Sequence, residues 1–458
     1  MITTWSDIDR RLKNLKDNAA KNAAAAVRRF KEKGFEFKPF SKKQLQVLTW
    51  WTEDSPVKDK KGIIADGSIR SGKTVSMSLS FVFWAMSTFD EQNFIMAGKT
   101  VGSFRRNVLF GLKLMLRSRG YRIKDHRSDN MVEISQGDTT NYFYIFGGKD
   151  EASQDLVQGI TAAGALFDEV ALMPESFVNQ ATGRCSVEGN KLWFNCNPAG
   201  PMHWFKRDWI DKSIDKKLIY IHFTMDDNLS LSEEIKEDYR TRYAGVFFLR
   251  YIKGLWAVAE GLIYTMCTDE NYYTDDSRPV HLKNTAIRTI TIDHGTNNPC
   301  VFLEIWDDGT RIWVDREYRW DSKSEEARRT GQPNRTDFQY ADDLEKFMGT
   351  NPEDFCAVVV DPSALTFITE LRHRGMVVKP ANNDVLDGIH IVSSLFALRY
   401  IMINRNCTGL ISEINSYVWD DKAAEHGEEK PVKQLDHGPD ALRYYCNTVL
   451  PKWRTGIR

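Results

Sequence analysis

A chain of 458 residues, 42% hydrophobic and 27% charged, has the composition of an ordinary globular protein with enough length for two domains. A net charge of −1 excludes a protein drawn onto nucleic acid by its overall charge, so any such surface is a local patch. The seven cysteines lack CxxC pairs and zinc spacing, no apolar run is long enough for a bilayer, and residues 1–17 are too polar for a signal peptide, so a cytoplasmic, non-membrane protein is expected.

Residues 1–36, rich in Ala, Lys and Arg, read as a helical arm. Such an arm either docks a partner or DNA, or covers the following domain as a solvated helix. Phe40 to Gln44 then opens a helical pattern carrying Leu45, Val47, Leu48, Trp50 and Trp51. Gln44 has an amide that both donates and accepts, which suits it to the adenine edge; on a helix start it can equally be surface polarity.

The apolar strand Ile63-Ile64-Ala65 leads into Gly67-Ser68-Ile69-Arg70-Ser71-Gly72-Lys73-Thr74, followed by a helical segment from Val75 to Phe89. The spacing is that of a phosphate-binding loop. Its glycines let successive N–H groups face one anion at a helix N-terminus, Lys73 neutralises the β/γ-phosphates, and the Thr74 hydroxyl suits Mg²⁺. ATP with Mg²⁺ is the ligand expected there.

Phe94 to Gly98 reads as a second buried strand, leading to the basic helix around Arg105 and Arg106. Met131–Ile134 and Tyr142–Phe146 alternate like paired strands about a turn at Gly137-Asp138. Ala163 to Phe167 is an apolar strand ending in Asp168-Glu169, the form of a Walker B motif. Asp168 would serve the Mg²⁺ and Glu169 would orient and deprotonate the attacking water. The strand Lys191–Asn195 ends in Cys196-Asn197-Pro198, where Asn197 is either a γ-phosphate sensor or part of a Pro/Gly turn. Leu218–Phe223 closes this domain's strands, and a composition break follows a charged helical stretch. The expected division is an arm over 1–36, an ATPase domain over 37–257 and a further domain over 258–458.

The second domain begins with the strand Ile287–Asp293, continues with a hairpin turning at Asp307-Asp308-Gly309, and passes through an Arg-rich segment at 321–340 that reads as a mobile loop. Cys356 to Asp361 is another buried strand ending in an acid. Gln434 to Asp440 opens the terminal helix. Asp293, Asp361 and Asp440 converge at one edge if the sheet is RNase H-like. Clustered carboxylates then need cations, and two Mg²⁺ or Mn²⁺ ions would activate water and stabilise a leaving oxygen. His437, three residues before Asp440, would shuttle a proton or assist a metal, and Glu317 is a weaker candidate ligand. The bland reading makes each acid a cap or strand end, above all Asp436 and Asp440.

Taken together, the GSIRSGKT, LFDE, FNCNP, TIDHG, VVDPSA and DHGPDALRY segments resemble, in this order, the large terminase subunits of tailed phages, and the PBSX-type group among them. The resemblance covers roughly residues 38–450. It implies an additional-strand, RecA-like P-loop ATPase followed by an RNase H-like nuclease. It implies ATP-driven translocation of double-stranded DNA into a procapsid, and DNA cutting. The partners implied are a small terminase subunit, the portal protein and further copies of the same chain on the portal. The location implied is the cytoplasm of an infected host. By position, Lys73, Thr74, Asp168 and Glu169 match the ATPase residues, and Asp293, Asp361, Asp440 and His437 the nuclease residues. Arg70 matches an arginine acting within the subunit, while Arg105 or Arg106 matches a finger offered to a neighbour. Two alternatives stay open: another ATP-dependent nuclease motor of repair or recombination, and an ATP-gated assembly scaffold without nuclease activity.

Overall fold

The computed structural model describes residues 37–282, 286–295, 299–330, 334–349 and 357–450; the expected arm at 1–36 lies outside them. The described residues form two compact units, one from 37–66, 70–196 and 213–230, the other from 67–69, 197–212 and 231–450. This division differs from the one expected at residue 257, because 197–212 and 231–257 pack with the second unit.

Eight strands make the first sheet: β1 (Gly62–Gly67), β2 (Asn93–Gly98), β3 (Arg122–His126), β4 (Met131–Gln136), β5 (Thr139–Gly147), β6 (Gly164–Phe167), β7 (Lys191–Asn195) and β8 (Leu218–Phe223). Their order is β3-β4-β5-β2-β6-β7-β1-β8. β1, β7, β6, β2 and β5 run parallel, and all of β1 and β6 is buried, as strands covered on both faces must be. One strand, β7, separates the phosphate-loop strand β1 from the acid-ended strand β6; this is the additional-strand arrangement. The turn at Gly137, with φ of 60°, joins β4 to β5 as expected.

Helix Lys73–Thr88 packs onto this sheet through large aromatic rings. Trp84 meets Trp193 at 4.8 Å between centroids and Phe81 meets it at 5.2 Å. Ser80 serves their polar edges. Its hydroxyl accepts from Trp51 Nε1 and Trp193 Nε1, each at 3.1 Å, and donates to the Val47 carbonyl. A Cβ on Gly164 would strike the Trp84 ring, so close helix–strand contact demands glycine there.

The second sheet contains β9 (Tyr272–Tyr273), β10 (Ile287–Asp293), β11 (Cys300–Asp307), β12 (Ile312–Trp320), β13 (Ala357–Val360), β14 (Val378–Pro380) and β15 (Ile401–Asn404), in the order β14-β13-β10-β11-β12-β15-β9. β10, β11 and β12 form an antiparallel meander, while β13 runs parallel to β10 and β14 parallel to β13. That is the RNase H-like order. The expected loop at 321–340 contains a short helix, Glu325–Arg329, because Ser324 caps it by accepting from the Ala327 N–H, and helix Asp337–Met348 starts within it.

Buried contacts explain why 197–212 and 231–257 belong here. The Arg250 guanidinium, 3% exposed as a residue, pairs with Glu429 and donates to the Ala257 carbonyl, and a Cβ on Gly200 would meet the same Glu429 carboxylate. Tyr243, Phe247 and Tyr251 surround His390 of helix Val385–Ala397, at 4.8, 4.7 and 5.4 Å between ring centroids. No described helix is long and apolar enough to cross a membrane.

Candidate functional sites

At the first site the backbone does much of the work. Gly67 and Gly72 have positive φ, 123° and 85°, as does Arg70 at 57°. Asn228 Nδ2 donates to the Arg70 carbonyl at 2.6 Å and holds that turn while the Arg70 side chain is exposed. Lys73 lies buried, and its Nζ donates to Ser71 Oγ at 3.1 Å. Burial pushes the Lys73 ammonium down to about 8, against the pull of Cys196, Asp66, Asp168 and Glu169. A cation held in a dry cradle at this cost is prepared for an anion. Ser68 is buried, and Ile69 is half-buried between it and Arg70.

Thr74 Oγ1 donates to Asp168 Oδ1 at 2.9 Å, bringing together two residues expected to serve Mg²⁺. Asp168 is raised above the ordinary carboxylate range by burial, against the hydrogen bonds from Asn195 and Thr74 and the charge of Lys73. A buried carboxylate with mostly neutral donors, next to a hydroxyl, fits a hard divalent cation. Glu169 is half-buried in a left-handed conformation with φ of 59°, the kind of local strain that aims a side chain at the end of a strand.

The sequence offers Asn197 as a γ-phosphate sensor or as part of a turn. The structure sets a different amide, Asn195, against the acids: Nδ2 donates to Asp168 Oδ1 at 2.7 Å, and Oδ1 accepts from the Glu169 N–H at 3.2 Å. Asn197 is half-buried just beyond β7, within the residues that pack with the second unit. No signal in the sequence singled it out: Asn195 reaches the acids because its strand is directly paired with the acid-ended one. Asp66 was also missed; it is fully buried at the end of β1, with His222 Nδ1 at 2.9 Å.

Gln44 is buried as the third residue of a capping box. Its Oε1 accepts from the Ser41 N–H at 2.9 Å, so its acceptor is committed, and a Cβ on Gly72 would collide with its Nε2. Arg105 and Arg106 open a π-turn, Arg105–Leu109, which sets neighbouring side chains apart. Arg105 Nη1 donates to Asp125 Oδ1 at 2.7 Å, and Lys113 takes the other oxygen at 2.7 Å; Arg106 is exposed.

In the second sheet the register Ile292↔Val360 sets Asp293 and Asp361 side by side at parallel strand ends. The Tyr444 hydroxyl, on helix His437–Thr448, reaches both: 2.6 Å to Asp361 Oδ2 and 3.3 Å to Asp293 Oδ1. His437 Nδ1 lies 2.8 Å from Asp293 Oδ2. Asp361 also accepts from the Ser363 N–H at 2.7 Å and from Asn383 Nδ2 at 3.3 Å. Burial pushes Asp293 up, with Asp440 and Asp436 adding to it against His437. Burial acts the same way on Asp361, but the Tyr444 and Ser363 hydrogen bonds and the Arg443 charge outweigh it and hold the carboxyl low. Burial works against the His437 imidazolium, yet Asp293 with Asp436 and Glu413 raises it overall.

Asp440 lies in the first turn of the same helix, and its oxygens face Arg443 and Lys433. Asp436 stands at the N-cap position without making a side-chain cap bond, so capping does not account for it. Glu317 is committed elsewhere, accepting from Arg319 Nε and the Leu410 N–H, both at 3.0 Å. Among the described residues no three His, Cys, Asp or Glu side chains are gathered closely enough to hold a metal ion. The all-oxygen pair Asp293–Asp361, bridged by one neutral hydroxyl, suits one hard cation; Asp440 is presently held by cationic side chains. Tyr444, Arg443, Lys433 and Asn383 were beyond sequence reasoning.

Comparisons with known proteins agree with both sheets. The family described as terminase large subunit, T4likevirus-type, N-terminal, matches residues 64–267. The large terminase of Escherichia phage T5 is 25% identical over 337 residues, covering 70% of this chain and 72% of that protein. A solved large terminase from a thermophilic bacteriophage is 55% identical, with a TM-score of 0.84, covering 90% of this chain and 99% of that one. Further structures of that thermophilic phage protein contain ADP, at 55% identity and a TM-score of 0.81, and ATP-gamma-S, at 54% and 0.81, each with the same coverage. With two sheets of these strand orders and a relative this similar along nearly its whole length, the chain belongs to the family of bacteriophage terminase large subunits.

Proposed function

We propose that this chain couples ATP hydrolysis to the movement of double-stranded DNA into a procapsid and cuts that DNA at a second, metal-dependent site. The observation that carries this reading is that each of two sheets of different strand order gathers acids at strand ends, Asp168 and Glu169 beside Asn195 in the first and Asp293 beside Asp361 in the second. At the first, Lys73 and the loop N–H groups of 67–74 receive the phosphates, and Thr74 with Asp168 would hold Mg²⁺. Asn195 fixes Asp168 and the Glu169 N–H, so that Glu169 can take the proton of the attacking water. Asn197 would sense phosphate and Gln44 Nε2 the base. Of the two adjacent arginines, the exposed Arg106 suits a finger offered to a neighbouring copy, because Arg105 is held by Asp125; Arg70 suits the role within the subunit.

At the second site Asp293, Asp361 and Asp440 would hold Mg²⁺ or Mn²⁺, which when bound supplies charge stabilisation and a more acidic water. His437 is oriented by Asp293 and can accept or return a proton at its other ring nitrogen. DNA contacts would fall mainly on phosphates and be strongly salt-dependent. The small terminase subunit, the portal and further copies of the chain are the partners this reading requires, met in the infected cell's cytoplasm.

Paired substitutions test it. Glu169→Ala should lower phosphate release from ATP by about 10²–10⁴-fold, the usual worth of a general base, and leave Mn²⁺-dependent plasmid nicking intact. Asp361→Ala should do the reverse. Plasmid cleavage surviving in Asp361→Ala rules out the second site, and normal turnover in Glu169→Ala rules out that base.

A further inference from the structure

The two oxygens of Asp440 are held in unlike ways. Oδ1 accepts from Arg443, with Nε at 3.2 Å and Nη2 at 3.1 Å. The Arg443 side chain is 1% exposed; Nη2 also donates to Asn383 Oδ1 at 2.9 Å and Nη1 to the Asp384 carbonyl at 3.3 Å, while a Cβ on Gly388 would strike its stem. Such a guanidinium cannot leave without stranding several buried groups. Oδ2 faces the Lys433 ammonium at 3.5 Å, and this same ammonium lies 3.4 Å from Asp436 Oδ2. Lys433 is 64% exposed, and an ammonium on a long, solvated stem at these distances is weakly held. Asp440 therefore has one oxygen to offer a cation, and Lys433 stands against it.

We propose that Lys433 is a displaceable cover on Asp440, drawn off by a backbone phosphate of duplex DNA, so that a second divalent cation binds at Asp440 weakly without DNA and more tightly once DNA is in place. The proposal rests on the reading of Asp293, Asp361 and Asp440 as metal-binding carboxylates. Two observations and one physical argument support it. Asp293 and Asp361 already share one neutral hydroxyl, a ready place for a first cation. Asp440 alone of the three is paired with a lysine and an arginine, where Asp293 has the His437 ring. The phosphates of duplex DNA draw exposed lysines, and releasing the lysine leaves negative charge where a second cation binds. A nuclease organised this way fills its second cation site most readily when its substrate arrives.

The test titrates the nucleotide-free full chain with Mn²⁺, reading free ion by electron paramagnetic resonance. Two phases are expected, the tighter lost in Asp361→Asn and the weaker in Asp440→Asn. Lys433→Met should tighten the weaker phase about fivefold, the worth of one exposed ion pair, and leave the tighter one unchanged. Binding of a short duplex across a salt series should show a slope of log affinity smaller by about 1 in Lys433→Met. An unaltered weaker phase overturns the proposal, and so does an unaltered salt slope. If no Mn²⁺ phase responds to Asp361→Asn, the metal reading itself fails and the cover with it.

Discussion

At the end of β6, Asp168 receives two neutral donors and lies near one buried ammonium, Lys73, which burial has already pushed down to about 8. At the ends of β10 and β13, acids outnumber fixed cations, and Tyr444, His437, Arg443 and Lys433 are shared among Asp293, Asp361, Asp436 and Asp440. The difference follows from what each site would receive. A polyphosphate brings its own negative charge, so on the proposed reading the first site keeps a buried ammonium and a loop of N–H groups for it before the ligand arrives. Metal ions bring positive charge, so the second unit leaves negative charge uncompensated and manages the repulsion with hydrogen bonds.

The units also differ in what secures them. The first rests on an aromatic core around Trp84 and Trp193, whereas the second ties in its early segments with ion pairs and stacked rings. Arg250→Ala should expose this most sharply. Removing one partner of a buried pair leaves Glu429 uncompensated and should cost about 3–5 kcal/mol. In calorimetry the transition of the second unit should fall while that of the first holds; a shift of both together would break the distinction.

A smaller effect is expected at the first site. Asn195→Ala removes a donor from buried Asp168 and a partner from the Glu169 N–H, worth about 1–3 kcal/mol. ATP turnover should fall roughly 10- to 100-fold while DNA cleavage is kept, since 1.4 kcal/mol is about tenfold. Asn197→Ala, compared in the same assay, decides which amide serves the chemistry.

The smallest effect is a dependence on pH confined to the second unit. Burial pushes His390 down from 6.5 to about 3, and its Nε2 has no hydrogen-bond partner among the described residues. Below the unfolded value of 6.5 the unfolded chain binds the extra proton. Stability is therefore full at neutral pH and is lost as pH falls from 6.5 towards 3. At about pH 5.5 the loss should be ~1.4 kcal/mol in urea unfolding, and His390→Phe should abolish this part of the acid sensitivity. An unchanged acid slope in that variant would show that His390 is not its source.

Local sequence was sufficient for whatever depends on a few neighbouring residues. Gly67 to Thr74 announced a phosphate loop because the turn needs glycines at set places, and Asp168, Asp293 and Asp361 announced strand ends because apolar runs stop at them. Strand order, and with it both fold types, was legible through the resemblance of those segments to terminases rather than through periodicity. The tertiary structure alone chose partners. Asn195 rather than Asn197 reaches Asp168 because β7 lies beside β6. Arg105 is tied down because β3 brings Asp125 to it, and Tyr444 and Lys433 join the acids because the terminal helix crosses the sheet edge there. Lys433 apart, which lies seven residues from Asp440, these pairings span 20 to 151 residues, and a side chain's partner across that separation is set by register and packing, which local composition does not encode.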